Sequence, residues 1–348
     1  MLHLLGALRG LVKPRSIHID NIFFCLHYKL TVIFLLAFSI LVASRQYFGE
    51  PIDCEFEEYD KGELNNYCFV QATYVREQHK LAEVGEKHAE NTRVRYYGYY
   101  SWVFLALFLQ AVFFYIPHYM WKAWEGGRIK ALSSKISCPI LDDDIVEKEA
   151  ERLSKYFIKN FHTHNGYAYK YFMCELLNLI NIGGQILFMD RFIGEGFQLY
   201  GIYVVFMNRE DMEKRVGELF PIRTICMFEK HSLTGRKEEL EGICLLTHNL
   251  LNEKIYGFLW FWMFFIAAMS ILTIVYRIAT LLIPSYRLYV FGLLSHIKNA
   301  DEIRAVYKKI QIGDWFLLLL LQKNVNPQVY RALISRLAES PRPDVSNL

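Results

Sequence analysis

The sequence predicts an all-α membrane protein with four transmembrane helices per subunit, disulfide-linked extracellular loops and a helical cytoplasmic dome. Three features indicate this class: long apolar runs without charges, an excess of basic residues in alternate connecting segments, and four cysteines confined to two of those segments. The 348 residues are 53% hydrophobic and 22% charged, against roughly 45–50% and 25% in soluble domains. The average composition alone is weak evidence for a membrane protein. The distribution of apolar residues along the chain, in long uncharged runs, is the stronger evidence.

Two runs are long enough to span a bilayer and contain no charged side chain. A helix needs about 20 mostly apolar residues to cross the hydrocarbon. Residues 96–121 and residues 255–276 meet this requirement without any Asp, Glu, Lys or Arg. We therefore predict a transmembrane helix in each run.

Two further runs contain polar residues. Residues 23–44 include Lys29, whose long side chain can reach the headgroups. Residues 171–189 include Glu175, Asn178 and Asn181, whose spacing places them near one helical face that must contact protein or water. We interpret both runs as spans and this face as a site of interhelical hydrogen bonds. The alternative for the two runs is that they are buried helices of a soluble domain. The alternative for the polar face is that it lines a pore.

Basic residues in the connecting segments predict the orientation. The segment 45–95 has seven basic and eleven acidic residues and 190–254 has nine and eleven, whereas 122–170 has nine and seven, and the tail from Arg277 has ten and five. Both termini and the middle loop are thus predicted to be cytoplasmic. The predicted organisation is an N-terminal segment (1–22), spans at 23–44, 96–121, 171–189 and 255–276, outer loops at 45–95 and 190–254, a cytoplasmic loop (122–170) and a cytoplasmic C-terminal region (277–348).

Four cysteines fall in the two outer loops. Cys54 and Cys68 lie in the first loop, and Cys226 and Cys244 lie in the second. An even number of cysteines in an oxidising compartment is typical of disulfides, but spacing cannot choose among the three possible pairings. A metal site is the competing interpretation, which the lack of CxxC and HxxxH patterns in these loops disfavours.

Other function classes find little support in the sequence. The net charge of +3 is small and dispersed, so we expect no nucleic-acid partner. No phosphate-binding glycine loop or nucleophile motif occurs, so we expect neither an enzyme nor a cofactor. The outer loops contain no N-x-[ST] glycosylation site, which permits close contact with a protein of another membrane.

The sequence of residues 99–103 is YYSWV. It is similar to the YYxWV signature of innexins, the invertebrate gap-junction proteins, and the matching residues are Tyr99, Tyr100, Trp102 and Val103. Ser101 departs from the glutamine usual at the middle position. Several other blocks resemble the family in order along nearly the whole chain: SRQYFGEPIDC from Ser44, YFMCELLNLINIGGQILFMD from Tyr171, NEKIYGFLWFW from Asn252 and GDWFLLLLL from Gly313.

The resemblance implies an octameric ring of subunits at the plasma membrane that docks with a ring from an adjacent cell and passes ions and small metabolites. It implies disulfides Cys54–Cys244 and Cys68–Cys226, and an N-terminal segment folded into the pore, with Met1, Leu2 and Leu5 as candidates for the narrowest ring. The related pannexins form single rings, so a non-junctional hemichannel is the alternative function. The partners expected are further copies of the chain, an apposed ring and membrane lipids.

Three local features complete the predicted architecture. Pro117 lacks an amide hydrogen and should kink the second span. Asp142 is a suitable N-cap for a cytoplasmic helix that includes Asp143 and Asp144 in its first turn. The apolar cluster from Trp315 to Leu321 is too short to cross a membrane and predicts the buried face of a cytoplasmic helix.

Overall fold

The structure is a computed structural model that describes residues 17–60, 62–77, 93–134, 142–231, 235–295 and 299–341. Its helices are α1 (Ile22–Phe48), α2 (Asn65–Val70), α3 (Val103–Glu125), α4 (Arg128–Ser133), α5 (Asp143–Lys159), α6 (Asn165–Ile193), α7 (Tyr200–Phe206), α8 (Arg209–Leu219), α9 (Thr247–Leu282), α10 (Pro284–Ser295), α11 (Ala300–Tyr307), α12 (Ile312–Gln322) and α13 (Pro327–Glu339). Its strands are β1 (Asp53–Glu55), β2 (Thr73–Glu77), β3 (Arg93–Tyr97), β4 (Arg223–His231) and β5 (Lys237–Leu245).

Four of the described helices are long and apolar enough to span a membrane, which confirms the predicted class. They are α1, α3 with the 3₁₀ turn that precedes it (Tyr99–Trp102), α6 and α9. The second of them begins at Tyr99 rather than at residue 96, because the preceding aromatic residues belong to β3 and Gly98 separates the strand from the turn. Pro117 lies inside α3, where its missing N–H leaves the carbonyl four residues earlier without a helical donor.

The chain divides into two compact units. Among the described residues, the helical unit comprises those up to Val32, those from Phe113 to Ile182 and those from Ile266 onward, and the sheet unit comprises those from Ile33 to Val112 and from Gly183 to Phe265. The chain passes from one unit to the other inside each of the four long helices. The two predicted outer loops therefore belong to one unit, and the middle loop and the tail belong to the other.

The sheet unit contains an antiparallel sheet with the strand order β1-β5-β4-β2-β3. The hairpin β4–β5 comes from the second loop, whereas the strands on both of its sides come from the first loop. No strand pattern in the sequence predicts this sheet. Because the second loop supplies the central pair, neither loop can form the sheet without the other.

A short apolar helix, α7, also belongs to the second loop. It packs against α9 at two glycines. A Cβ on Gly201 would lie 2.1 Å from the ring of Trp260, and a Cβ on Gly257 would lie 2.8 Å from the Tyr200 hydroxyl oxygen. The absence of side chains at these positions lets the two helices approach closely.

The helical unit is organised around α12, where every residue from Ile312 to Leu321 is buried. A helix that is apolar on all sides needs partners all round, and its neighbours in the core include α5, α6 and α13. The predicted helix after Asp142 is present as α5, and it pairs with α13 through Arg336 and Glu147. The cluster Trp315–Leu321 thus forms a core helix rather than one buried face.

A polar clamp holds the start of α12 against the turn between α5 and α6. The Asp314 carboxylate lies 2.7 Å from Nδ1 of His164 and accepts a hydrogen bond from the backbone N–H of His162. The other ring nitrogen of His164 lies 3.1 Å from the Tyr156 hydroxyl. The Asn165 side chain accepts a hydrogen bond from the Gly313 N–H, so both backbones are fixed at their point of contact.

Candidate functional site

The two disulfides lie side by side in the sheet unit. They join Cys54 to Cys244 and Cys68 to Cys226, which are the pairs that the resemblance implies. Cys54 and Cys244 face each other across β1 and β5, and the sulfur atoms of Cys54, Cys68 and Cys244 lie within 4.8 Å of one another. Each bond joins the first loop to the second, so the two loops form one crosslinked body, the cap. All four sulfurs are used in these bonds, which leaves no thiolate to hold a metal.

Removing one disulfide is expected to destabilise the cap. With Cys54–Cys244 still in place, the Cys68–Cys226 bond closes a ring that runs through residues 54–68 and 226–244, and losing a native disulfide typically costs about 2–5 kcal/mol. We expect the Cys68→Ala/Cys226→Ala double variant to have a lower melting temperature than the wild type in fluorescence-detected size-exclusion chromatography. Cys25→Ala, which removes a free cysteine, is the control. An unchanged melting temperature of the double variant would contradict this account.

The aromatic motif at the start of the second span connects that span to both loops. The buried Tyr99 hydroxyl donates to the backbone carbonyl of Leu219 at 3.0 Å, in the second loop. The buried Tyr100 hydroxyl lies 3.1 Å from the carbonyl oxygen of Gln71 and 3.3 Å from that of Cys68, both in the first loop. The motif therefore couples the span to the cap.

The other two motif residues lie in different surroundings. Val103 is fully buried at the first turn of α3, whereas Trp102 is 60% exposed. Ser101, the departure from the family pattern, donates its hydroxyl to the carbonyl of Gly98 in the preceding turn. This contact is local, so the substitution leaves the contacts of the two tyrosines in place.

Replacing Tyr100 with phenylalanine is expected to lower stability by about 1–3 kcal/mol, because it leaves buried acceptors without a donor. The measurement is the melting temperature of the purified protein. Tyr96→Phe is the matched control, since the Tyr96 ring is 66% exposed on β3. Equal melting temperatures for the two variants would show that the Tyr100 hydroxyl contributes nothing.

A second polar contact joins the two loops across the sheet. The Tyr74 hydroxyl donates to Glu241 at 2.8 Å, and Arg76 also contacts that carboxylate. Burial and Glu241 raise the pKa of Tyr74 to about 12. The phenol consequently remains a donor at physiological pH, and the stability that it contributes is lost only as the pH rises from about 10 through 12.

The chain before α1 is attached to the helical unit. The Asn324 side chain bonds to both backbone groups of His18, accepting from the N–H at 2.6 Å and donating to the carbonyl at 2.7 Å. The Trp121 indole N–H donates to the carbonyl of Ile19. The predicted pore residues Met1, Leu2 and Leu5 lie outside the described residues. The structure defines the position of His18 and Ile19, which follow them in the chain.

Glu175, one of the three residues on the predicted polar face of the third span, belongs to an interhelical ion pair. Glu175 receives two hydrogen bonds from Arg277 of α9, at 2.6 and 2.9 Å, and one from the side chain of Asn21, just before α1. Both charged residues are more than nine-tenths buried. The guanidinium lies 4.9–5.6 Å from the centroids of four aromatic rings, those of Tyr171, Phe172, Tyr276 and Phe316.

Sequence reasoning missed two of these residues. In the sequence, Arg277 ends an uncharged run and has the position of a basic flanking residue, although Glu175 inside a span requires a partner. Tyr74 lay in a loop without a recognised strand. In both cases the missing information was the partner, which is more than 100 residues distant along the chain.

Comparisons with known proteins agree with this architecture. The family model described as Innexin matches residues 20–340. The chain is 41% identical to Innexin inx2 of Schistocerca americana, over 97% of this chain and 98% of the relative. It is 39% identical to Innexin inx2 of Drosophila melanogaster, over 99% and 97%, and 36% identical to Innexin shaking-B of the same species, over 97% and 94%. The chain belongs to the innexin family, whose members are gap-junction channel proteins.

Proposed function

We propose that this chain is the subunit of an intercellular channel in which rings of subunits from adjacent cells dock through their caps. The observation that carries the proposal is the sheet itself, in which the β4–β5 hairpin of the second loop lies between strands of the first loop and two disulfides join the loops. Such a crosslinked surface is preorganised, so little conformational entropy is lost when it binds a second copy.

In the proposed arrangement both termini and the helical unit are cytoplasmic and the cap is extracellular. The excess of basic residues in the middle loop and the tail supports this orientation. The segment that contains Met1, Leu2 and Leu5 would then extend from its attachment at His18 and Ile19 into the pore. Subunits would form an octameric ring, as the family resemblance implies.

A glycan placed on the hairpin separates docking from channel formation. Glu229 and His231 are exposed on β4, and the substitutions Glu229→Asn/His231→Thr create a glycosylation site around Lys230. We expect paired cells that express the wild type to show junctional conductance and dye transfer. The glycosylated variant should reach the surface and keep its single-cell conductance but lose junctional conductance, because the glycan holds the two caps apart.

The matched control is Glu229→Gln/His231→Thr, which changes the same two positions without an acceptor asparagine. Junctional conductance through the glycosylated variant would contradict docking at this hairpin. A wild type that takes up dye in single cells but does not couple pairs would identify the non-junctional hemichannel instead. Electron microscopy of purified particles along the ring axis tests the subunit number.

A further inference from the structure

A cavity of about 470 Å³ opens in the helical unit beside the end of α9. Its volume falls in the range of roughly 300–1,000 Å³ that is typical of ligand sites. Its wall is predominantly apolar and includes Ile22, Phe23, Met269, Leu272, Phe316 and Leu319. Burying a hydrocarbon chain against such a wall lowers the free energy, whereas burying a polar metabolite there does not.

The cavity lies beside the end of the uncharged run of α9. The uncharged run of this helix, which includes Leu272 and Thr273, ends at Arg277, and all three residues line the cavity. Leu272 is 60% exposed and lies about one and a half turns before the first charge. In a membrane the apolar part of the wall would therefore lie level with acyl chains, and the charged part would lie level with headgroups.

One cation at the charged end is available to a ligand. Arg277 is already neutralised by the two hydrogen bonds to Glu175. Lys323 and Asp20 also line the cavity, and no carboxylate of the described residues lies within ion-pair distance of Lys323. Burial and the nearby Arg277 guanidinium lower the pKa of the Lys323 ammonium group, and the opposing effect of Asp20 is smaller. An anion beside Lys323 would relieve this unfavourable environment.

We propose that this cavity binds an anionic phospholipid of the bilayer, with an acyl chain along the apolar wall and the negatively charged headgroup beside Lys323. Basic pockets between transmembrane helices on the cytoplasmic side recognise such headgroups. Assignment to the cytoplasmic leaflet rests on the orientation under the proposed function. Lipid binding itself does not require docking or conductance, so the two proposals can fail separately.

The test is native mass spectrometry of the full-length protein extracted from vesicles that contain phosphatidylcholine and phosphatidylserine. We expect the wild type to retain phosphatidylserine in preference to phosphatidylcholine. Lys323→Ala should lower that preference about fivefold, which corresponds to about 1 kcal/mol for one basic residue near headgroups. Lys323→Arg should keep it, and Lys155→Ala, which removes an exposed lysine of α5, should have no effect.

A second variant tests the apolar wall. Leu272→Trp places a larger ring in the cavity and should reduce retention of both lipids, while the size-exclusion profile shows that the protein still assembles. Equal retention of the two lipids by the wild type would overturn the proposal, and so would an unchanged preference in Lys323→Ala. Absence of retained lipid would mean that a neighbouring subunit or the N-terminal segment fills the cavity, which also overturns it.

Discussion

Replacing Gly313 with alanine is expected to destabilise the helical unit by more than about 3 kcal/mol, beyond the range of ordinary overpacking. A Cβ at this position would lie 2.2 Å from the backbone carbon of His164 and 2.3 Å from the backbone nitrogen of Asn165. Neither atom can rotate away, because both belong to the main chain. The clamp of Asp314 on His164 and the bond from Gly313 to Asn165 hold the two segments at this distance.

The control for this prediction is a glycine at the start of α6, next to the residues that Gly313 contacts. Gly166 has no neighbour within 4 Å of a Cβ at its position, so Gly166→Ala should be neutral or stabilising by up to about 1 kcal/mol. The measurement is the yield and melting temperature of the assembled protein after expression of each variant. If Gly313→Ala matches Gly166→Ala in both, the close backbone contact does not contribute to the fold.

The parts of this fold that follow from local chemistry could be predicted. The absence of charges in 255–276 requires a lipid or core environment, and it correctly locates α9. The three acidic residues from Asp142 to Asp144 correctly mark the beginning of α5. The aromatic motif indicated the family, but it did not indicate that Tyr99 and Tyr100 bond to different loops.

The cap could not be predicted, because its information is distributed between distant segments. Strand β1 has three residues, too few for an alternating pattern to be recognised, and it exists because β5 lies beside it. The β4–β5 hairpin is rich in charged residues, since its exposed positions outnumber its buried ones. The polar composition of residues 223–245 is therefore typical of a loop. The structure forms a sheet there because strands of the two loops pair with each other.

Replacing Arg277 with methionine is expected to be the most destabilising change of a single charge in the described part of the chain. Removal of one partner of a buried ion pair typically costs about 3–5 kcal/mol, because the other charge stays buried without compensation. In this variant the Glu175 carboxylate would keep only the hydrogen bond from Asn21. The expected result is a lower melting temperature in fluorescence-detected size-exclusion chromatography and less protein at the cell surface.

The matched experiment removes the second charge as well. In Glu175→Gln/Arg277→Met no uncompensated charge remains, and the Asn21 amide can still donate to the glutamine oxygen. We therefore expect the double variant to be more stable than Arg277→Met alone, with a coupling of about 1–3 kcal/mol between the two positions. Additive losses would instead assign the cost to the packing of the guanidinium among the four aromatic rings, and the charge pair would then contribute little to holding α6 against α9.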